Sequence, residues 1–462
     1  MKLFHVMSVR ILIVLGAGLI LRLLLAYVIL PGSGHASDIN WYSSWAMAVT
    51  SVGPGEFYAK TTVNYPPGYI YVLWILGEVS RLIATATNAD PKMVVTSLIK
   101  VPPMLLDLGT GFLLYWTIRH WLTEKESSER AALLVASCYL FNPAVLYDTA
   151  IWGQTDAAGA FVMLMGVVAL LRWAPEVTAS IAVVAALIKP QFGVVLIPLV
   201  GPVLLKRYTV SRDMLHAPLT PASWIARDGP LRILTSIALA TIVFYVLVTP
   251  FSLDLHTYLD RMNDNAEKYK FLSVNAFNPW ALVRAGGIPA LFLAGIDNFS
   301  ADDIPLIGSV TGVSIGTALL ASGFLLGIVR LLWRSDELSV ILVGVYLCLC
   351  FFLLPTRVHE RYLVPVFSLT SLMIAVDRRW LWANFLLAIG SLMNLHSVLS
   401  QVGTENVTRL PFGEFVRSPA GILLSVVFQT TVFLLVIWHM YANMILFLGR
   451  KKSTCLERLN VT

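Results

Sequence analysis

Ser37-Asp38-Ile39-Asn40-Trp41-Tyr42, running on to Asn64-Tyr65-Pro66-Pro67-Gly68-Tyr69, is the one long polar, aromatic-rich stretch beside the first hydrophobic helix, and it opens on a carboxylate. On its N-terminal side, residues 11–30 are apolar over a membrane-spanning length. Lys2 and Arg10 precede that run and no Ala-x-Ala cleavage site follows it, so it reads as an anchor helix. On its C-terminal side the Pro-Pro start suits the first turn of a helix, and Tyr65, Tyr69, Tyr71 and Trp74 suit the headgroup level. The stretch 66–83 is therefore expected to lie at the interface, inside one external loop over 31–92. A spanning helix there would carry Arg119, Lys125 and Arg130 to the same side as Asp38, against the positive-inside tendency.

The surroundings are membrane throughout. Hydrophobic residues make up 57% of the chain and charged residues 13%, with a mean hydropathy of +0.75. The net charge of +6 sits on Lys and Arg in short loops, where it orients helices; no basic face for nucleic acid results. Cys138, Cys348 and Cys350 lie in apolar segments and Cys455 in the polar tail, so neither a disulfide framework nor a metal spacing emerges.

The expected fold is all-α and polytopic, a single domain over 1–462 with about 12 spans by length and hydropathy. After the loop at 31–92 the spans are 93–118, 131–150, 157–173, a short pair 178–190 and 191–205 bent at Lys189-Pro190-Gln191, then 232–250, 305–332, 338–355, 362–376, 380–398 and 419–448. The stretch 277–296, interrupted by Arg284 and two glycines, is one more candidate. A cytoplasmic loop is expected at 206–231 with Arg212 and Arg227, and external loops at 251–276 and 356–362. Both termini fall inside, the last held by Arg450, Lys451 and Lys452.

That threading sorts the unusual residues onto one face. Asp38, Tyr65, Trp152-Gly153-Gln154-Thr155-Asp156, Lys189 with Gln191, and Arg357-Val358-His359-Glu360-Arg361 all fall outside. Ionisable groups at membrane depth are costly and face a cavity or one another, so their gathering marks a site. The set holds carboxylates, cations and aromatics, but no nucleophile elbow, no Gly-rich phosphate loop and no paired-His zinc motif. A carboxylate facing cations suits displacement of a phosphate leaving group: the base takes a proton from an acceptor hydroxyl while Lys, His and Arg neutralise the departing charge. In a membrane, that phosphate belongs to a lipid.

On these residues the chain resembles the polytopic GT-C glycosyltransferases. The features are an acidic residue after the first helix, Tyr65-Pro66-Pro67 in the same loop, the Trp152-Gly153-Gln154-Thr155-Asp156 turn and the late His359-Glu360-Arg361. The pattern is similar to the dolichyl-phosphate-glucose glucosyltransferases, whose His-Glu-Lys is here His-Glu-Arg, and to the GPI mannosyltransferases. It extends over nearly the whole chain in element order, on short motifs. The resemblance implies a polyprenyl-phosphate sugar donor, a glycan, lipid or protein acceptor, inversion at the anomeric carbon, no metal or other cofactor, and a hexose, mannose first, as the group moved. Carried over, Asp38 is the base and His359 with Arg361 grips the donor phosphate, joined by Lys189 and Arg357. Asp156, Gln154, Trp152, Tyr65, Glu360 and Gln191 line the substrate. Where the family carries a second acidic residue before Pro-Pro, this chain has Asn64.

Each residue also has a plainer role. Asp38 and Asp156 stand where helix N-caps stand, Lys189 where a cation snorkels to the headgroups, and Trp41, Trp45 and Tyr65 where aromatics anchor. A secondary transporter and a non-catalytic subunit of a glycan-assembly complex are the competing classes. The first would show paired broken helices in corresponding halves; the second would dispense with the base. The expected location is a plasma or endoplasmic reticulum membrane, with the site on the external or lumenal face.

Overall fold

The computed structural model describes residues 8–121, 125–209, 229–283 and 300–459. Arg212, Arg227 and most of the loop expected at 206–231 lie outside them, as do Arg284 and most of the candidate stretch 277–296. The chain is an all-α, multi-pass integral membrane protein.

In order, α1 is Val9–Leu23 and runs into a π-turn at Leu24–Ile29; α2 is Ala36–Val52, α3 Pro54–Lys60, α4 Pro67–Thr87, α5 Pro91–Leu98 and α6 Val101–Trp121. Next come α7 Lys125–Leu140, α8 Pro143–Leu146 with a second π-turn at Tyr147–Trp152, α9 Asp156–Arg172, α10 Pro175–Ile188, α11 Pro190–Thr209, α12 Leu231–Val248 and α13 Leu255–Glu267. A two-stranded antiparallel hairpin, β1 Pro305–Ile307 and β2 Val310–Thr311, precedes α14 Gly312–Trp333. The chain then follows α15 Glu337–Leu353, α16 Val366–Val376, α17 Trp380–Val402, the short α18 Glu405–Thr408 and α19 Gly413–Arg417, and α20 Pro419–Leu459.

The span count is lower than the twelve expected. Among the described residues eight helices are long and apolar enough to cross a membrane, or nine if the pair Ser128–Leu140 and Pro143–Trp152, bent by 46°, is one span. Of the stretches expected to span, α9, α10, α15 and α16 have 17, 14, 17 and 11 residues, and at about 1.5 Å per residue each is shorter than a ~30 Å hydrocarbon core. Hydropathy counts apolar runs and is blind to a helix that stops early. The bend in the pair has a local cause: Asn142 restarts the helix, its Oδ1 accepting from the amides of Ala144 and Val145 at 3.0 and 3.3 Å, ahead of Pro143.

The outer helices α1 and α12 are apolar on faces the protein leaves uncovered, with only 22% and 11% of their most apolar windows buried. That is the pattern of helices solvated by lipid. At the centre α9, α15 and α16 are buried along most of their lengths.

The 31–92 region departs from the bundle and comes back to the same level. Its two ends meet where Lys100, at the start of α6, donates from Nζ to Ser33 Oγ at 2.8 Å. The same ammonium donates to the carbonyls of Ala150 and Ile151, both at 2.9 Å. These carbonyls belong to the second π-turn, whose irregular backbone leaves acceptors free. Within the loop α2 and α4 pack tightly against each other at Gly77, where a Cβ would lie 2.6 Å from the Ala46 carbonyl oxygen. By length and composition α4 passes for a span. Its 21 residues are followed by a left-handed Asn88 at φ 53° and an 8-residue α5 capped by Asp90.

Candidate active site

The loop ends, the second π-turn, the α10–α11 break and the 355–362 segment converge on two adjoining chambers. The smaller, of about 120 Å³, is walled by Asp38, Trp41, Tyr42, Trp45, Thr62, Asn64, Tyr65, Lys268, Tyr269 and Arg361. The larger, of about 260 Å³, has Lys189, Gln191, Arg357, His359, Arg361 and Tyr362 on its polar side and Val194, Met262 and Phe351 on its apolar side. Asn64, Tyr65, Tyr269 and Arg361 belong to both, so the partition between them is aromatic with one guanidinium.

Asp38 lies in the first turn of α2, whose N-cap is His35, and it caps nothing there. Its carboxylate reaches across the site instead. Oδ2 accepts from Trp152 Nε1 at 2.9 Å and from Gln154 Nε2 at 2.5 Å, with His35 Nδ1 at 3.8 Å. Both hydrogen bonds fall on Oδ2. Gln154 is aimed by the turn that bears it: Gly153 at φ 86° allows its own amide and that of Gln154 to donate to the Asp148 carbonyl, each at 3.0 Å. The Gln154 Oε1 accepts from Tyr42 at 2.9 Å, and Tyr42 and Tyr65 share a hydrogen bond of 2.8 Å. Burial, then Tyr65 and Asp38 beside it, push the Tyr42 phenol well above its ordinary value, so it stays a neutral donor.

Asp156, the first residue of α9, is likewise no N-cap; that position belongs to Thr155. Its Oδ2 accepts from Lys189 Nζ at 2.9 Å, in a pair with side chains 3% and 0% exposed. Burial works against the Lys189 ammonium, but Asp156 and Tyr65 outweigh it and hold the group charged; its Nζ sits 5.2 Å from the centre of the Tyr65 ring. The break that exposes Lys189 to the chamber is set by Pro190, which opens α11 with no amide to offer α10.

In the 355–362 segment Glu360 is buried and takes Arg361 Nη1 at 2.5 Å, while Arg361 Nε lies 3.8 Å from Asp156 Oδ2 and its guanidinium 5.9 Å from the Trp152 ring. Burial opposes the Arg361 charge, and Glu360, Asp38 and Asp156 restore it. Burial raises the Glu360 carboxyl against the pull of Arg361. His359 differs: burial, with Arg361 and Lys189 nearby, holds its imidazole well below the usual value, so it is neutral at pH 7. Its ring lies against Tyr269 and Tyr362, at 4.9 and 5.2 Å between centres.

Of the residues singled out from sequence, Asp38 faces the smaller chamber, Lys189, Gln191, Arg357 and His359 the larger, and Tyr65 and Arg361 both. Trp152, Gln154, Asp156 and Glu360 line neither and act from behind, by holding Asp38, Lys189 and Arg361. Sequence reasoning missed Tyr42, Tyr269 and Lys268. Tyr42 stands four residues after Asp38, one helical turn on, and that spacing was its only signal. No group of three or more His, Cys, Asp or Glu side chains suited to a metal occurs among the described residues.

No family model matches the chain, and no curated relative matches it either. Solved structures with a similar course include those of the Archaeoglobus fulgidus oligosaccharyltransferase. With a tethered acceptor peptide it aligns at 13% identity and TM-score 0.41, over 92% of this chain and 55% of that one. The same organism's AglB, in complex with an inhibitory peptide and a dolichol-phosphate, aligns at 13% identity and TM-score 0.42, over 92% and 56%. The chain spans about half the length of these structures.

Proposed function

We propose that the chain is a GT-C-like glycosyltransferase that moves a hexose from a polyprenyl-phosphate donor to an acceptor hydroxyl on the non-cytoplasmic face of the membrane. The observation that carries this reading is the pairing of a carboxylate chamber with a cation chamber across a shared wall. Asp38, its Oδ2 fixed by Trp152 and Gln154, takes the proton of the acceptor hydroxyl in the smaller chamber. The acceptor oxygen forms a bond to the anomeric carbon as the bond from that carbon to the phosphate oxygen breaks, and the electron pair leaves with the phosphate. Attack from the far side inverts the carbon. Lys189 and Arg361 neutralise the released phosphate and His359 donates a hydrogen bond to it. The apolar wall of Val194, Met262 and Phe351 suits the first isoprene units.

The Lys100–Ser33 contact, which joins the two ends of the 31–92 loop, supports keeping that loop on one side of the membrane. In this reading α4, packed against α2, lies along the interface. The positive charge of the remaining loops supports that side being outside. The test is to incubate the purified protein in lipid with a panel of radiolabelled polyprenyl-phosphate sugars and membrane extract. Label passing from one donor to a new product supports the reading and names the sugar. Absence of transfer from every donor, with the protein folded, refutes it.

A further inference from the structure

Arg357 faces the larger chamber and, from the sequence, is a natural phosphate ligand, yet its guanidinium is already held. Nε and Nη2 donate to Asp302 at 2.7 and 3.3 Å, and Nη1 donates to Glu267 at 3.0 Å and to the Ala266 carbonyl at 3.2 Å. Asp302 is completely buried, lines neither chamber, and also accepts from Thr356 Oγ1 at 2.8 Å. The Arg357 backbone is left-handed at φ 64°, a region that a side-chain-bearing residue enters when its surroundings keep it there. Around this knot four peptide hydrogen bonds tie the stretch after α13 to both flanking segments: Arg357 amide to Phe271 carbonyl at 3.0 Å, Val274 amide to Val358 carbonyl at 3.0 Å, Leu272 amide to Ser300 carbonyl at 2.8 Å, and Asp302 amide to Lys270 carbonyl at 3.1 Å. The stretch so fixed carries Lys268 and Tyr269, which wall the smaller chamber, and Tyr269 packs edge-on against His359.

We infer that Arg357 is a positioning residue: with Asp302 and Glu267 it forms a buckle that holds the 268–275 strap across the site, and it acts on the Asp38 chamber without binding the donor phosphate. The inference rests on the glycosyltransferase reading for the meaning of the two chambers. The buckle itself does not depend on that reading.

The test uses the full chain in lipid nanodiscs, with polyprenyl phosphate as the binding probe and hydrogen exchange as the readout of the strap. Arg357→Ala and Asp302→Asn are both expected to speed exchange of the Leu272 and Val274 amides by about tenfold or more. Polyprenyl-phosphate affinity stays within about twofold, and turnover falls in both variants. Glu267→Gln, at the partly exposed end of the buckle, gives the same pattern at about two- to threefold and covers the case in which the buried substitutions fail to fold. Loss of about tenfold or more in polyprenyl-phosphate affinity in Arg357→Ala alone, with unchanged exchange, makes Arg357 a phosphate ligand and overturns the inference. Unchanged exchange in Glu267→Gln and Asp302→Asn overturns it as well. A wild type that transfers no sugar sinks the glycosyltransferase reading, while the exchange arm still decides the buckle.

Discussion

Two buried ion-pair networks in this protein look alike on paper and differ in what they leave open. Deep in the bundle Arg22 of α1 meets Asp107 of α6, both side chains 0% exposed. Asp107 accepts from Arg22 Nε at 3.0 Å, Thr149 at 2.8 Å and Tyr139 at 2.9 Å, and Arg22 Nη1 donates to the carbonyls of Gly18 and Leu140 at 3.1 and 3.0 Å. That network lines neither chamber of the site. The second, Lys189–Asp156 with Arg361–Glu360, is as buried at its carboxylates but faces the chambers with its cations; both networks keep buried atoms without hydrogen-bond partners, Arg22 Nη2 in the first and Asp156 Oδ1 and Arg361 Nε in the second. A network away from any cavity clips helices together; one whose cations line a cavity is ready for an anionic ligand. Charge type alone, which both share, does not separate the two.

The largest expected effect is on chemistry. Asp38→Asn removes a proton acceptor without removing volume, so turnover should fall by about 10²–10⁴-fold, read by initial rates of label transfer. Next come the networks. Lys189→Met and Asp107→Asn each strand a buried charge, and each should cost about 3–5 kcal/mol of stability, read by denaturation in detergent. Turnover per folded molecule should collapse only in Lys189→Met; equal losses in both would erase the distinction between the networks. A smaller effect concerns His359. Burial, with Arg361 and Lys189 nearby, holds it neutral, and a bound phosphate raises its pKa, so donor binding takes up a proton. Polyprenyl-phosphate affinity should therefore fall as pH rises from the depressed free value to the bound one, by at most about tenfold per unit. The slope should vanish in His359→Ala. The smallest effect is expected from Gln154→Ala, which takes one of two hydrogen bonds from Asp38: about 1 kcal/mol in transition-state terms, with donor affinity unchanged.

The sequence made the membrane architecture and much of the site readable, for reasons tied to particular residues. Asp38 and His359-Glu360-Arg361 stood out because ionisable groups between apolar runs are costly and few. Lys189 stood out through the proline beside it. The count of twelve is not confirmed, because α9, α10, α15 and α16 read as spans but have at most 17 residues, while α4, read as interfacial, is long and apolar enough to cross. The Arg22–Asp107 clip was invisible because its partners are 85 residues apart on two helices that each read as plain spans. Tyr269 and Lys268 were invisible for another reason: a loop has no periodicity to say which way a side chain faces. The ties of Arg357 to Asp302, 55 residues away, could come only from the folded chain.

The division of labour between the chambers is tested most directly by one measurement: the affinity of polyprenyl phosphate for wild type, Asp38→Asn, Asp107→Asn and Lys189→Met in lipid at constant pH. The two-chamber account predicts a loss of about tenfold or more in Lys189→Met alone, with the other two variants within about twofold of wild type. Equal weakening in Asp38→Asn, or losses that track stability across all three variants, would contradict it.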